Sequence, residues 1–219
     1  MITKRALLAL ALTACAAGQV FAQPLTEPPA AVSDGPAPPP APKPNPRVLI
    51  HTGAGDITLE LNADKAPITV RNYLKYVDRK LFDGATFYRA SKPPGQVSND
   101  YGSIQGGMQG DPRKLPPIAH ESTLKTGILH TDGVISMGRY APGTAQADWF
   151  ICVGQMTYLD ATATDPGFAA FGHVVEGMDT VKAILGMPTN PNAGTGAMKG
   201  EILMKPVKIL TVRRVPAAA

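Results

Sequence analysis

Hydrophobic and polar positions begin to alternate at Arg47. Val48 and Ile50, then Ile57, Leu59 and Leu61, are set among polar neighbours with the period of two half-buried strands. Gly53-Ala54-Gly55-Asp56 between them predicts a hairpin turn. Pro67 stands where a first helical turn tolerates its missing N–H, and Val70, Tyr73, Leu74 and Val77 follow at helical spacing. Asp83-Gly84 predicts a turn, Phe87-Tyr88-Arg89 a new strand, and the Pro, Gly, Ser and Asn of residues 91–102 a loop. Further short strands are predicted around Ile104 and over 134–137, 149–153 and 171–175. Met178, Val181, Ile184 and Leu185 mark a second, shorter helix, residues 186–200 a loop, and 207–215 the closing strand. Many strands with two isolated helices predict a mainly β fold closed into an antiparallel barrel, because closure removes exposed strand edges. The helices would plug its open ends.

Residues 1–46 do not share this pattern. Lys4 and Arg5 followed by the apolar stretch from Ala6 to Ala17 read as a signal peptide over 1–22, too short to span a bilayer, which takes roughly 20 residues. Two processing sites compete: cleavage after Val20-Phe21-Ala22, or lipidation of Cys15 in the lipobox-like Leu12-Thr13-Ala14-Cys15. Either one exports the domain, with a bacterial periplasm as the expected compartment and a lipid anchor at Cys15 as the only membrane contact. Residues 23–46 hold ten of the 22 prolines and almost no large apolar residue, so they predict a disordered, extended linker. The folded domain is therefore expected over 47–219.

Composition narrows the function by exclusion. A net charge of +4 without a Lys/Arg stripe leaves no nucleic-acid footprint. The four histidines are scattered without metal-ligand spacing, and Gly194-Thr-Gly196 does not link a strand to a helix, so neither metal nor nucleotide cofactor is expected. Gly133-Val-Ile-Ser136-Met-Gly138 has the wrong spacing for a nucleophile elbow. His120-Glu121 reads as an exposed surface pair, and Cys152, within an apolar run, as a buried hydrophobe.

Four stretches in order resemble the cyclophilin family of peptidyl-prolyl cis-trans isomerases. They are Ala66-Pro67-Ile68-Thr69-Val70-Arg71-Asn72-Tyr73; Phe82-Asp83-Gly84-Ala85-Thr86-Phe87-Tyr88-Arg89; Ile104-Gln105-Gly106-Gly107; and the run from Gly133 through Trp149-Phe150-Ile151 and Leu159-Asp160 to Gly177-Met178. The resemblance covers roughly residues 47–215. It implies an eight-stranded barrel capped by two α-helices and catalysis on proline-containing polypeptides without a cofactor; the domain is expected to be a monomer. It also implies roles: Arg89 as the catalytic cation, Gln105 as its orienting partner, and Phe150 and Leu159 as the apolar pocket for the proline ring. Phe87 and Met137 are expected in the barrel core.

Several positions depart from the family pattern. Tyr88 replaces a histidine, Gly102-Ser103 a Phe-Met pair, and Gly138-Arg139-Tyr140 an Ala-Asn-Ala. Asp148 replaces a glutamine, Tyr158 a tryptophan and Phe168 a histidine. Arg139, Asp148, Tyr158 and Phe168 are thus expected at the substrate site with altered chemistry. Tyr101 is a candidate to fill the pocket floor, and Asp148 to pair with Arg89 or Arg139. The leading expectation is an isomerase for folding of exported proteins; the alternative is a cyclophilin-like binding module or chaperone with weak turnover.

Overall fold

The structure, a computed structural model, describes residues 44–216; the expected signal peptide and nearly all of the expected linker lie outside the described residues. Among the described residues nine strands form: β1 (Arg47–Thr52), β2 (Gly55–Leu61), β3 (Thr86–Ser91), β4 (Gly102–Gly107), β5 (Val134–Met137), β6 (Asp148–Val153), β7 (Ala169–Glu176), β8 (Thr189–Asn190) and β9 (Ile202–Val215). They run in the order β1-β2-β7-β5-β6-β4-β3-β9, and β1 pairs back onto β9, which closes an eight-stranded antiparallel barrel. The two-residue β8 only extends β9. Helices α1 (Pro67–Asp78) and α3 (Met178–Leu185) are the two predicted from periodicity; α2 (Thr123–Thr126) is a single extra turn. The closing strand starts at Ile202, earlier than the predicted 207, and that extension matters to the site.

The barrel interior is filled from alternate strand positions. Trp149 is fully buried, with Phe87 edge-on at 5.2 Å and Tyr73 and Phe82 at 6.0 and 6.2 Å. Phe171, Ile104, Ile135 and Met137 join the same core, so Phe87 and Met137 are core residues as expected. α1 lies against β9 and β7, and α3 against β2, β3, β4 and β6.

Helix α1 begins without a cap of its own, because Ala66 carries no side-chain acceptor. Its orphan donors turn instead to Glu121, distant in sequence. Glu121 accepts hydrogen bonds from the Ile68 N–H at 3.2 Å, the Thr69 N–H at 2.8 Å and the Thr69 hydroxyl at 2.7 Å. A carboxylate there satisfies backbone donors and faces the positive end of the helix dipole. Only 1% of Glu121 is exposed, so it is a buried cap and not the surface residue expected from sequence. Removing it strands buried donors. Glu121→Ala is expected to cost about 2–3 kcal/mol of stability, read as a lower urea midpoint at unchanged slope; a midpoint equal to wild type would remove Glu121 from this role.

Candidate active site

A β-bulge sets the geometry of the site. Phe87 pairs with Gly106, and the next paired position is Arg89 opposite Gln105, so Tyr88 is the extra residue in β3. Without the bulge, Arg89 would share the inward face of Phe87; with it, Arg89 turns to the outer face beside Gln105. Gln105 in turn faces Phe150 on β6, and Phe150 faces Ser136 on β5. Arg89, Gln105 and Phe150 therefore form one row across three neighbouring strands.

Within that row the guanidinium is held on several sides. Its Nη1 donates to Gln105 Oε1 at 2.8 Å, its Nε to Glu201 Oε2 at 2.8 Å, and its Nη2 to the Ala197 carbonyl at 3.0 Å. Gly138 makes room for the amide: a Cβ there would lie 3.2 Å from Gln105 Nε2.

Beyond Gln105 the outer face becomes apolar. Phe150, Cys152 and Met156 form a cluster separate from the barrel core, with Tyr101, Leu159 and Phe168 packed against it. Tyr101 thus supplies the apolar surface that Gly102 and Ser103 lack. Phe168 meets Phe150 edge-on at 5.5 Å. Tyr158 stands at the rim, 66% exposed, beside Leu159 in a 3-10 turn. Burial pushes the Cys152 thiol up to about 12, which keeps it protonated, as expected for a buried hydrophobe.

Two charged positions behave differently from expectation. Asp148 pairs with neither Arg89 nor Arg139. Lys114 takes one of its oxygens at 2.5 Å, and the Tyr88 hydroxyl donates to the other at 3.3 Å. Lys114, from the segment after β4, reaches it first. Arg139 gives its donors to backbone, to the Gly167 carbonyl from Nε and Nη2 and to the Tyr140 carbonyl from Nη1. Its guanidinium also lies 4.7 Å over the Phe168 ring. Arg139 therefore braces the pocket wall.

Sequence reasoning missed three residues. Glu201 is one and Lys114 another; neither lies in a motif, and each reaches the site only because a distant segment is folded against it. The third is His130. Its Nδ1 lies 2.6 Å from Asp160 Oδ1 and its Nε2 2.8 Å from the Ser136 hydroxyl, while its ring stacks on Phe150 at 5.9 Å. Serine, histidine and aspartate in this order resemble a nucleophile triad, yet Ser136 and His130 are both fully buried and no substrate reaches them. The arrangement is structural: it fixes the ring beneath Phe150 and the loop carrying Leu159.

The fold and this row define a class, a closed barrel whose outer face presents a fixed cation beside an apolar cluster. The sequence model described as cyclophilin type peptidyl-prolyl cis-trans isomerase/CLD matches residues 47–214. A peptidyl-prolyl cis-trans isomerase of Acinetobacter baylyi is 33% identical over 76% of this chain and 84% of its own length. The isomerase cyp18 of Streptomyces antibioticus is 36% identical over 67% of this chain and 87% of its own. Among solved structures, a cyclophilin type isomerase of Cryptosporidium parvum superposes with a TM-score of 0.63 at 18% identity, covering 80% of this chain and 99% of that one. The chain belongs to the cyclophilin-type peptidyl-prolyl cis-trans isomerase family, and the reaction it catalyses is rotation about the peptide bond before proline.

His130 gives the site region a pH signature. Burial lowers its pKa below the ordinary 6.5, outweighing the Asp160 carboxylate, which raises it. The folded protein thus holds the neutral imidazole, with Nδ1–H donating to Asp160 and Nε2 accepting from Ser136. Below about pH 6.5 the unfolded chain binds a proton at His130 that the folded chain refuses, so stability falls as pH drops toward the lower folded value. The urea midpoint is expected to decline on acidification from about pH 6.5, and His130→Gln to flatten that decline. A midpoint constant down to the folded pKa, or a decline equally steep in the variant, would show that His130 does not carry it.

Proposed function

We propose that Arg89 is the catalytic cation and that Gln105 orients it, while Phe150, Leu159 and Phe168 receive the proline ring. The observation that carries this reading is the row Arg89–Gln105–Phe150, which sets an N–H fork next to an apolar cluster on the outer face. The chemistry follows from the amide itself. Resonance imposes a barrier of ~18–20 kcal/mol to rotation. As the bond twists, the prolyl nitrogen becomes pyramidal and gains a lone pair that accepts a hydrogen bond. A fixed donor near that nitrogen stabilises the twisted state more than either planar one. No bond breaks, so the reaction asks for no nucleophile, and a buried His130–Ser136 pair is no obstacle to it. The apolar wall lowers the local dielectric and strengthens the contact. The protein of Cryptosporidium parvum has also been solved in the presence of the dipeptide Ala-Pro, in keeping with a proline-containing ligand for this fold.

Substrates are proline-containing polypeptides, and the setting we propose is outside the cytoplasm, with a monomeric domain acting on exported chains. Support comes from Lys4-Arg5, the short apolar stretch and the proline-rich spacer ahead of Arg47. Intact mass of the exported protein tests this. An N-terminus at Gln23 or an acylated Cys15 is expected, and full-length chain found in the cytosol alone would overturn it.

The reading of Arg89 is tested by a protease-coupled proline isomerisation assay. Arg89→Ala is expected to lower kcat/KM by about tenfold to a thousandfold, roughly 1.4–4 kcal/mol. Arg89→Lys should recover only part, because an ammonium lacks the planar fork. Unchanged activity in a folded Arg89→Ala protein would refute the assignment.

Charge accounting at the pocket also predicts a preference. Arg89 is balanced by Glu201 and Asp148 by Lys114, whereas Arg139 enters no ion pair among the described residues. Asp165, on the neighbouring loop, turns its carboxylate to the Gly167 N–H. Where Arg139 rests on the Phe168 ring, the edge of the site carries a cation with no carboxylate partner among the described residues, opposite to the basic-client preference that an unpaired Asp148 would give. Peptides with glutamate before proline should be turned over faster than matched lysine peptides at low salt, with the difference shrinking as salt rises. Arg139→Gln should narrow that ratio and Asp148→Gln should not; a lysine preference would reverse the assignment.

A further inference from the structure

Glu201 lies outside every motif, at the point where a glycine-rich loop enters β9. Its backbone is fixed there: its carbonyl accepts from the Ala90 N–H at 3.0 Å, and its own N–H donates to the Met198 carbonyl at 3.2 Å. Arg89 pairs with Ile202, the residue after it. Strand pairing alone therefore brings the carboxylate to the guanidinium. One of its oxygens, Oε2, lies 2.8 Å from Arg89 Nε and 2.6 Å from Nη2. The other, Oε1, accepts from the Ser91 hydroxyl at 2.8 Å. The side chain is about three-quarters buried, with 23% exposed.

An arginine offers five N–H groups in a rigid plane. Here the Nε and Nη2 edge is turned to Glu201, Nη2 also reaches Ala197, and Nη1 reaches Gln105. A single Nη1 N–H is left without a protein partner among the described residues. We propose that Glu201 is a positioning residue for the isomerase reaction: it locks the Nε/Nη2 edge of Arg89 so that the remaining Nη1 donor is presented to the prolyl nitrogen. This rests on the reading of Arg89 as the catalytic cation.

The physical gain is preorganisation. A free arginine side chain samples many rotamers, and a donor must hold its angle to stabilise a lone pair that exists only in the twisted amide. Gln105 alone touches one Nη1 hydrogen and leaves the plane free to pivot. Glu201 on the opposite edge and Ala197 beside it remove that pivot. Since the proline ring is held by the separate apolar cluster, the loss of Glu201 should appear in kcat and not in substrate affinity.

The test is steady-state isomerisation on the full exported protein with Glu201→Ala and Glu201→Gln, each alone and combined with Arg89→Ala. Glu201→Ala should lower kcat about tenfold with KM changed less than about twofold. Glu201→Gln keeps the shape and one acceptor and should lose less. In the Arg89→Ala background neither change should lower activity further, because the residue acts through the guanidinium. Thermal melts identify loss of folding, and Glu201→Gln, being isosteric, keeps the question open to decision if the alanine variant fails to fold. A folded Glu201→Gln and Glu201→Ala pair with wild-type kcat, or a rise in kcat, overturns the proposal. So does an equal loss with and without Arg89. If Arg89→Ala itself is fully active, the catalytic reading of Arg89 falls first and this role falls with it; if Arg89→Ala is inactive and the Glu201 variants are not, only this role falls.

Discussion

The extra residue in β3 governs this molecule. A regular strand would have placed Phe87 and Arg89 on one face, and that face is the fully packed barrel core. Burying a guanidinium there would cost several kcal/mol of desolvation without a partner. The bulge at Tyr88 resolves the conflict by turning Arg89 outward while Phe87 stays against Trp149. Everything at the site is built on that reversal. It aligns Arg89 with Gln105 and Phe150, and it brings β9 past Arg89 at Ile202, so that Glu201 arrives beside the guanidinium.

The outer face then needs a floor and walls of its own, since it has no second sheet to cover it. Tyr101, Cys152, Met156, Leu159 and Phe168 supply these around Phe150. The loop that carries Leu159 and Phe168 has little regular structure and is held by polar ties. The Met156 N–H donates to the His130 carbonyl, His130 contacts Asp160, and Arg139 and His120 bind the Gly167 and Pro166 carbonyls. A loop fixed by several hydrogen bonds to buried or half-buried groups keeps its apolar side chains in place without a core beneath it. The departures at Phe168 and Arg139 thereby form one unit, a cation resting on an aromatic ring.

Two charges at the site are matched locally, those of Arg89 and Asp148. Arg89 meets Glu201, and Asp148 meets Lys114 and Tyr88. Both pairs are partly shielded from water, where an unmatched charge is costly. Burial pushes the Tyr88 phenol upward, and the Asp148 charge adds to that, so Tyr88 stays a neutral donor to the carboxylate.

Much of this is legible in the chain alone. Strand and helix periods located β1, β2, α1 and α3 because each presents one apolar face, and short apolar runs located β5 and β6; both signals are carried by residues next to one another. Arg89, Gln105, Phe150 and Leu159 could be singled out because they fall inside the stretches that resemble the cyclophilin family. The run Trp149-Phe150-Ile151-Cys152-Val153 shows where that reach ends. Every member is apolar, so no pattern separates the core face from the pocket face; barrel closure alone assigns Trp149, Ile151 and Val153 inward and Phe150 and Cys152 outward. The same holds for Glu121, Lys114, Glu201 and His130. Their partners lie 52, 34, 112 and 30 residues away in sequence. Which carboxylate meets which cation is a matter of distance in space, and those distances are fixed only once the strands are in register.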